Sequence, residues 1–349
     1  MPVTTQATTV PQLRVVAIGG GTGLSTLLRG LKRYVQPPAG VAGHDAFCEG
    51  LPCLIAHLSA LVTVTDDGGS SGRLREDLKM LPPGDVRNCV AALSEDEQLL
   101  TRLFQYRFPG GEDKGLSGHS FGNLFLAAMT AIHGGDFAQA VQMSSQILAA
   151  RGTIFPATNS NVTLSARMED GSVVLGETNI TASKQSIAEL MLHPANAQPM
   201  PEALDAIAKA DLITLGPGSL YTSLITNLLV DGIPQAIASS NATRAYVCNL
   251  MTQANESLGL TASQHMERIQ SHTGGERLFD YALVNTAPIS PALLRQYARE
   301  GQQPIEVDLD AIRALGVTPV TGNFVHEGDV LRHDYDRVAQ TLLELPRRA

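Results

Sequence analysis

The sequence predicts a doubly wound α/β fold, in which a mainly parallel sheet carries an inserted β-hairpin. Three observations predict it. Short apolar runs alternate along the chain with segments of helical spacing, which is typical of a parallel sheet covered by helices on both faces. Glycine-rich turns follow two of the apolar runs. Residues 161–180 alternate apolar and polar side chains about a Glu-Asp-Gly turn, which indicates a hairpin.

The first strand and helix are predicted from a change in the spacing of apolar residues along the chain. Val15–Ile18 is a run of four apolar residues suited to a buried strand. Leucines then recur at i, i+3, i+4 and i+7, which places them on one face of a helix. These residues are Leu24, Leu27, Leu28 and Leu31.

The later elements are predicted from the same alternation of short apolar runs and helical spacing. Strands are expected at 61–65, 212–215, 235–238, 245–250 and 281–285, and helices at about 86–108, 120–132, 219–230 and 334–345. Residues 1–11, rich in Thr and Pro, are expected to form a flexible tail, and 12–349 a single domain. Residues 36–53 carry Pro and Gly without periodicity and predict a long connection.

Composition and charge exclude several classes of protein. No apolar stretch approaches the roughly 20 residues that cross a bilayer, and the first residues lack the pattern of a secretory signal. We therefore expect a cytoplasmic protein without membrane insertion. The net charge of −9 argues against a nucleic-acid partner, because a polyphosphate backbone requires a basic face.

The cysteines predict reduced thiols. There are four of them, with neither a C-x-x-C pair nor zinc-ligand spacing to the histidines, and such usage favours a reducing compartment. They are Cys48, Cys53, Cys89 and Cys248.

The junction after the first strand predicts a phosphate site. It reads strand, glycine loop, helix, so that free backbone N–H groups and the positive end of the helix dipole face a loop without bulky side chains. The residues expected to face the phosphate are Gly20, Gly21, Thr22 and Gly23. The dinucleotide fingerprint is broken at Leu24 or Thr26, and no P-loop ending is present. The alternative is a tight turn that only lets helix and strand pack closely.

A second junction repeats this design. In residues 211–229, DLITLGPGSLYTSLITNLL, an apolar strand is followed by a glycine-containing loop and then by a helix. The candidate binding residues here are Gly216, Gly218 and Ser219, although serine at this position often only caps its helix. Two such loops at the carboxyl ends of parallel strands would share the edge at which open α/β sheets bind ligands.

A third stretch, VTDDGGSSGRLR at 64–75, offers carboxylates and arginines. Asp66 or Asp67 stands at the end of the second strand, where dinucleotide-binding folds carry the acidic residue that binds ribose. The pair is also suited to Mg²⁺, and the alternative is an Asp-Gly turn with surface charges. Arg73 and Arg75, beyond the flexible loop, are positioned in sequence to close over a bound anion.

A fourth motif, Gly118–Gly122, matches the G-x-S-x-G nucleophile elbow of α/β hydrolases. No strand signal precedes it, so hydrolase chemistry is disfavoured and no residue is assigned a catalytic role. Asn123 and His119 are expected to cap the following helix or to line the ligand cleft.

Taken together, these residues resemble the YvcK family of bacterial gluconeogenesis factors, which is similar in fold to the CofD family of 2-phospho-L-lactate transferases. The resemblance extends from about Leu13 to Leu345. It rests on GGGTG at 19–23, VTDDGGSSGRLR at 64–75, PPGDVRN at 82–88, GHSFGNL at 118–124, LGPGSLYTS at 215–223, CNLMTQ at 248–253, TASQH at 261–265 and RHD at 332–334.

The resemblance implies a cytoplasmic regulatory protein that binds a nucleotide sugar, UDP-N-acetylglucosamine, and influences cell shape and growth on gluconeogenic carbon sources. The two glycine loops would then face the diphosphate. Asn249 would recognise the base or ribose, and Arg332 would reach the ligand from the C-terminal segment. Leu260 stands where UDP-sugar-binding members tend to carry tyrosine, so the sugar and the nucleotide stay open.

The similarity to CofD implies an alternative function. CofD enzymes transfer a phospholactyl group from a guanosine-linked donor, with Mg²⁺ neutralising the diphosphate. In this chain Asp66 and Asp67 would supply the metal ligands. The sequence leaves regulatory protein partners and a homo-oligomer open.

Overall fold

The computed structural model describes residues 12–36, 48, 51–110, 115–183, 185–254 and 256–347. The strands are β1 (Leu13–Gly19), β2 (Ile55–Val62), β3 (Thr153–Pro156), β4 (Thr163–Met168), β5 (Val173–Leu175), β6 (Ile187–His193), β7 (Leu212–Leu215), β8 (Thr243–Val247), β9 (Tyr281–Asn285), β10 (Thr318–Gly322), β11 (Val325–Glu327) and β12 (Leu331–His333).

Helices connect most of these strands. They are α1 (Gly21–Lys32), α2 (Gly69–Leu78), α3 (Gly84–Leu93), α4 (Glu97–Gln105), α5 (Phe121–Ile132), α6 (Phe137–Ile147), α7 (Glu177–Ala182), α8 (Pro201–Ala208), a π-helical turn (Leu220–Ile225) that runs into α9 (Thr226–Leu228), α10 (Ile233–Ser239), α11 (Ala262–His272), α12 (Pro291–Ala298), α13 (Leu309–Ala314), α14 (Tyr335–Glu344) and a final 3₁₀ turn (Leu345–Arg347).

Seven strands form the central sheet in the order β10-β9-β8-β7-β1-β2-β3, and every neighbouring pair is parallel. The chain starts in the middle with β1, builds β2 and β3 on one side, and then returns to the other side of β1 with β7. The order of strands therefore reverses between β1 and β7, which is the switch point where open α/β sheets bind ligands. The predicted doubly wound α/β fold is confirmed.

The predicted hairpin is confirmed and belongs to a larger unit. β4 and β5 pair antiparallel, and their turn contains Gly171 at φ +85°. β6 pairs antiparallel with the other edge of β4, so the inserted sheet has three strands in the order β5-β4-β6. A separate two-stranded ribbon, β11-β12, follows the last strand of the main sheet.

The leucine face of α1 is fully buried, and the residues that form it were all predicted. Leu24, Leu27, Leu28 and Leu31 are at most 1% exposed, and the burial of each such side chain contributes roughly 1.5–3 kcal/mol. α1 packs against α3 and α14. A Cβ on Gly30 would come within 2.3 Å of the Tyr335 carbonyl oxygen, so glycine lets α14 approach the α1 backbone.

Parts of the sequence prediction are wrong. The strand predicted at 61–65 corresponds to β2, which spans Ile55–Val62, so residues 63–65 lie beyond its end. Residues 235–238 lie in α10, because the chain turns at Gly232 (φ +83°) into a helix with proline in its first turn, and a short apolar run alone does not distinguish strand from helix. Cys48 and Cys53 form a disulfide rather than free thiols, since their Cα atoms lie 5.6 Å apart, within the range that a disulfide bridges. Cys89 and Cys248 are free and buried.

Some predictions lie outside the described residues. They are the flexible tail at 1–11 and most of the connection at 36–53. The assignment of 12–349 to one domain stays a prediction. Among the helices that the structure describes, none combines the length and apolar character that a membrane span requires.

Candidate functional site

The two glycine loops meet at the switch point of the sheet. The first joins β1 to α1, and the second leads from β7 to the π-helical turn. They are in direct contact, because a Cβ on Gly23 would lie 2.2 Å from the carbonyl oxygen of Pro217. Gly21, at φ +60°, adopts the left-handed conformation that favours glycine. The glycines of the first loop therefore serve both its conformation and its contact with the second loop.

A cleft of about 340 Å³ opens over this contact. Eight of the predicted binding residues line it: Gly20, Gly21, Thr22, Gly23, Gly218, Ser219, Asn249 and Arg332. Gly216 lies behind the second loop, where its φ of +85° and its approach to the Val247 carbonyl oxygen require glycine. The C-terminal ribbon supplies Arg332 on β12, so segments far apart in sequence share this cleft.

The first loop offers free backbone donors to the cleft. Within the described part of the chain, the N–H groups of Thr22 and Gly23 have no hydrogen-bond partner. Both belong to the first turn of α1, a helix of 12 residues with no acidic side chain in that turn. Free N–H groups and the positive end of the helix dipole favour an anion at this position.

In the second loop, side chains of the protein already bind the backbone and the Ser219 hydroxyl. Asn249 accepts a hydrogen bond from the Gly218 N–H through Oδ1 (3.2 Å) and donates to the Gly218 carbonyl through Nδ2 (2.7 Å). The predicted role of Asn249 was recognition of a base or ribose, whereas here its amide holds the loop. Gln253 Nε2 donates to Ser219 Oγ at 3.0 Å. The second loop is thus braced by side chains from the segment after β8.

A buried carboxylate caps the helical turn after this loop. Ser219 stands at the N-terminal end of the π-helical turn but makes no side-chain cap. Instead, Glu256 accepts hydrogen bonds from the Tyr221 N–H (3.1 Å) and the Thr222 hydroxyl (2.9 Å). Burial raises the pKa of Glu256, and these hydrogen bonds oppose the increase.

The structure separates the roles of the two predicted aspartates. Asp67 Oδ1 and Oδ2 accept hydrogen bonds from the Thr178 and Glu177 N–H groups, both at 2.8 Å, so Asp67 caps α7. Asp66 Oδ1 accepts from the Gly68 N–H at 2.9 Å. Neither residue lines the cleft.

Two half-buried carboxyl groups behind the first loop were not predicted. Asp85 lies so close to Gly20 that a Cβ there would come within 2.7 Å of its Oδ2. Burial raises the pKa of Asp85 to about 6; a hydrogen bond from Gly21 opposes this shift, and the charge of Asp66 adds to it. Burial and the charge of Asp85 raise the pKa of Glu177 well above its ordinary value, against a hydrogen bond from Thr65.

The residues present do not form the metal site that the CofD resemblance implies. Both oxygens of Asp67 are engaged by the N-terminus of α7, and Asp66 binds the backbone of its own loop. Over the described ranges, no group of three or more His, Cys, Asp or Glu side chains has an arrangement that would hold a metal ion.

The predicted arginines of the third stretch do not line the cleft. Arg73 donates to the Ser117 carbonyl at 2.7 Å. Arg75 donates to the Val162 carbonyl and to Thr163 Oγ1. Both arginines thus bind protein backbone or side chains.

The G-x-S-x-G motif forms a helix start. Ser120 is fully buried and caps α5 by accepting from the Asn123 N–H, and no strand immediately precedes it among residues 115–119. His119 Nδ1 lies 2.9 Å from Ser70 Oγ. Asn123, a predicted binding residue, lies outside the cleft and connects Ser70 (3.1 Å) to Arg87 (3.1 Å).

The wall opposite the glycine loops was missed. It is lined by side chains after β8, from α12 and its following loop, and from β12: Thr252, Gln253, Tyr297, Gln302 and His333. Only the motifs CNLMTQ and RHD pointed toward this wall. His333 Nε2 donates a hydrogen bond to the Cys248 carbonyl oxygen at 3.1 Å. Burial lowers the pKa of His333 to about 4, so the ring is neutral at pH 7.

Comparison with known proteins places this geometry in a family. Residues 15–325 match the model of the CofD family, described as 2-phospho-L-lactate transferase CofD. The chain is 47% identical to the gluconeogenesis factor of Halalkalibacterium halodurans over 95% of both chains. It is 44% identical to the gluconeogenesis factor of Bacillus subtilis, over 95% of this chain and 98% of that one.

A solved structure has the same fold. A crystal structure of a UPF0052 family member from Bacillus halodurans superposes with a TM-score of 0.86 at 46% identity, over 96% of this chain and all of that chain. The chain therefore belongs to the CofD family, and its relatives within that family include the proteins named gluconeogenesis factor.

Proposed function

We propose that this protein binds a nucleotide diphosphate sugar of the UDP-N-acetylglucosamine type and acts as a regulatory binding protein. One observation carries the proposal: the unpaired N–H groups of Thr22 and Gly23 open into a cleft at the switch point of the sheet. A protein of net charge −9 can bind a diphosphate in this way, because backbone donors and a helix dipole supply the attraction.

The lining of the cleft supports a diphosphate with polar groups attached. No acidic residue is among its lining residues, and Arg332 is its only arginine or lysine. The Arg332 side chain, on the paired strand β12, has no hydrogen-bond or ion-pair partner among the described residues, so its guanidinium is available to a phosphate. Thr252, Gln253 and Gln302 offer hydrogen bonds to the hydroxyl groups of ribose or sugar.

The biological role is proposed from the relatives. Several are named gluconeogenesis factor, and we propose that this chain likewise supports growth on gluconeogenic carbon sources and influences cell shape. It would act in the cytoplasm, where ligand occupancy alters a surface that partner proteins bind.

The alternative is a CofD-type group transfer, which the match to that family favours. Its Mg²⁺ chemistry finds no support in the paired aspartates, since Asp67 is engaged in capping α7. Membership of a fold family does not by itself transfer a reaction.

A thermal-shift panel tests the proposal. UDP-N-acetylglucosamine, UDP-glucose, GDP and NAD are each added with and without Mg²⁺. A ligand at 100 times its Kd stabilises by about 2.7 kcal/mol, which raises the Tm by several degrees. We expect UDP-sugars to do so without Mg²⁺. A shift with GDP alone, and only with Mg²⁺, would support the transferase instead.

Two variants relate binding to the cleft. Arg332→Ala is expected to weaken UDP-sugar binding roughly tenfold while the Tm of the free protein stays unchanged. Arg313→Ala is the matched control, because Arg313 is exposed and pairs with Asp310 outside the cleft. Equal binding by wild type and Arg332→Ala would place the ligand elsewhere.

A further inference from the structure

The cleft continues into a second compartment that the proposed function does not use. The second compartment has a volume of about 730 Å³ and lies between α1, α3, α4 and the β11-β12 ribbon. Four residues line both the cleft and this compartment: Thr22, Thr26, Arg332 and His333. Because the two spaces adjoin, a ligand in one would lie next to a ligand in the other.

The compartment is lined by four arginines and by no acidic residue. They are Arg29, Arg87, Arg107 and Arg332. Only Arg29 is neutralised, by an ion pair with Glu97 at 3.0 Å. This concentration of positive charge stands out in a chain whose net charge is −9.

The other three guanidinium groups have only neutral partners or none. Arg87 donates to Ser120 Oγ (2.6 Å), Asn123 Oδ1 (3.1 Å) and Asn88 Oδ1 (3.0 Å). Arg107 donates to the Gly118 carbonyl at 3.0 Å. No described carboxylate lies within ion-pair distance of either arginine or of Arg332.

Arg87 is held in place and incompletely solvated. Burial, followed by the neighbouring charge of Arg107, lowers the pKa of Arg87, and the charges of Asp85 and Asp66 oppose this only in part. A partly buried cation that has no carboxylate in ion-pair contact is costly, and an anion bound beside Arg87 would reduce that cost. The polar network that fixes Arg87 also orients the guanidinium before any ligand arrives.

We propose that this arginine compartment binds a second ligand, a small molecule that carries a phosphate monoester. A guanidinium group donates two parallel hydrogen bonds to two oxygens of one phosphate. A phosphate monoester carries about −1.5 to −2 charges at pH 7, so several arginines without an ion-pair partner can contact it. The compartment also has room for an uncharged organic group attached to the phosphate, which would contact the rings of Phe104 and Tyr335 in its wall.

The test is isothermal titration calorimetry of the full chain with phenyl phosphate, and with benzoate as the matched carboxylate. The first titrations contain no nucleotide, so failure of the UDP-sugar proposal would not affect them. We expect saturable binding of phenyl phosphate with one ligand per chain, and binding of benzoate at least tenfold weaker. Binding should persist when UDP-N-acetylglucosamine is saturating.

The deciding variant is Arg107→Gln, because Arg107 is exposed, lines this compartment but not the cleft, and makes one side-chain hydrogen bond, to the Gly118 carbonyl. It should weaken phenyl phosphate binding roughly tenfold and leave UDP-sugar binding unchanged, whereas Arg313→Gln should change neither. The proposal is overturned by absent binding of phenyl phosphate, by unchanged binding in Arg107→Gln, by benzoate binding equally well, or by displacement of phenyl phosphate by the nucleotide sugar.

Discussion

Asn249 binds the peptide of Gly218 through both ends of its side-chain amide, accepting from the N–H at 3.2 Å and donating to the carbonyl at 2.7 Å. This pairing removes the Gly218 N–H from the donors available to a ligand. The free donors of the site therefore lie mainly on the first loop, and the second loop acts as a braced wall.

Asn249→Ala should release the second loop. The loss of two hydrogen bonds, each worth about 0.5–1.5 kcal/mol, is expected to lower the free energy of unfolding by about 1–3 kcal/mol and to weaken ligand binding. Chemical denaturation and calorimetry measure the two effects. Asn241→Ala, at an exposed asparagine, is the control. An Asn249→Ala protein with unaltered stability and binding would contradict the bracing role.

Gly23→Ala should separate the two loops. The added Cβ would lie 2.2 Å from the Pro217 carbonyl oxygen, and because this neighbour is backbone, one loop must move. We expect a lower Tm and loss of ligand-induced stabilisation, both measured by thermal melts. Gly115→Ala is the matched control, since a Cβ there meets nothing within 4 Å. Normal ligand binding by Gly23→Ala would mean that contact between the loops is not needed for the site.

Asp85 should make stability depend on pH. Its pKa is raised to about 6 in the folded protein from an ordinary value of 3.8, so the folded state binds more protons between these values. The free energy of unfolding should therefore fall as pH rises from about 4 to 6. At about 1.4 kcal/mol per pKa unit, the loss is on the order of 3 kcal/mol.

Asp85→Asn isolates this contribution. The variant should lose most of the decrease in stability between pH 4 and 6, and it should bind a diphosphate more tightly above pH 6, because a charge that repels phosphate is gone. Denaturation curves at several pH values measure the first effect, and calorimetry at pH 7.5 the second. Asp329→Asn, in an exposed turn, is the control. An identical pH profile in Asp85→Asn would assign the slope to other groups.

The parts of the site that could be predicted from sequence are those encoded by neighbouring residues. Strand, glycine loop and helix follow one another in the chain at both loops, so backbone geometry alone indicates the edge of the sheet where they lie. The spacing of apolar residues likewise predicted the buried face of α1. Gln235–Ala238 shows the limit of such reasoning, since four residues are too few to distinguish the periods of strand and helix.

The remaining parts depend on contacts between distant segments. Asp67 and Glu177 are 110 residues apart, and nothing local to Asp67 indicated that its carboxylate caps α7. Arg87 and Arg107 come from α3 and from the residues after α4, and only the folded chain shows that they line one compartment with Arg332. Tertiary placement decided which charged residues face the cleft, and sequence spacing carried no information on it.

Glu256 offers a last prediction, on how the second loop is anchored. The buried carboxylate accepts from the Tyr221 N–H and the Thr222 hydroxyl, so Glu256→Ala leaves donors without an acceptor at the start of the π-helical turn. An unsatisfied buried donor costs about 1–3 kcal/mol, which should lower the Tm by several degrees. Glu256→Gln keeps one acceptor and should lose less. Glu267→Ala, an exposed glutamate on α11, controls for the loss of charge. If Glu256→Ala melts at the same temperature as Glu267→Ala, the Glu256 carboxylate does not stabilise the turn.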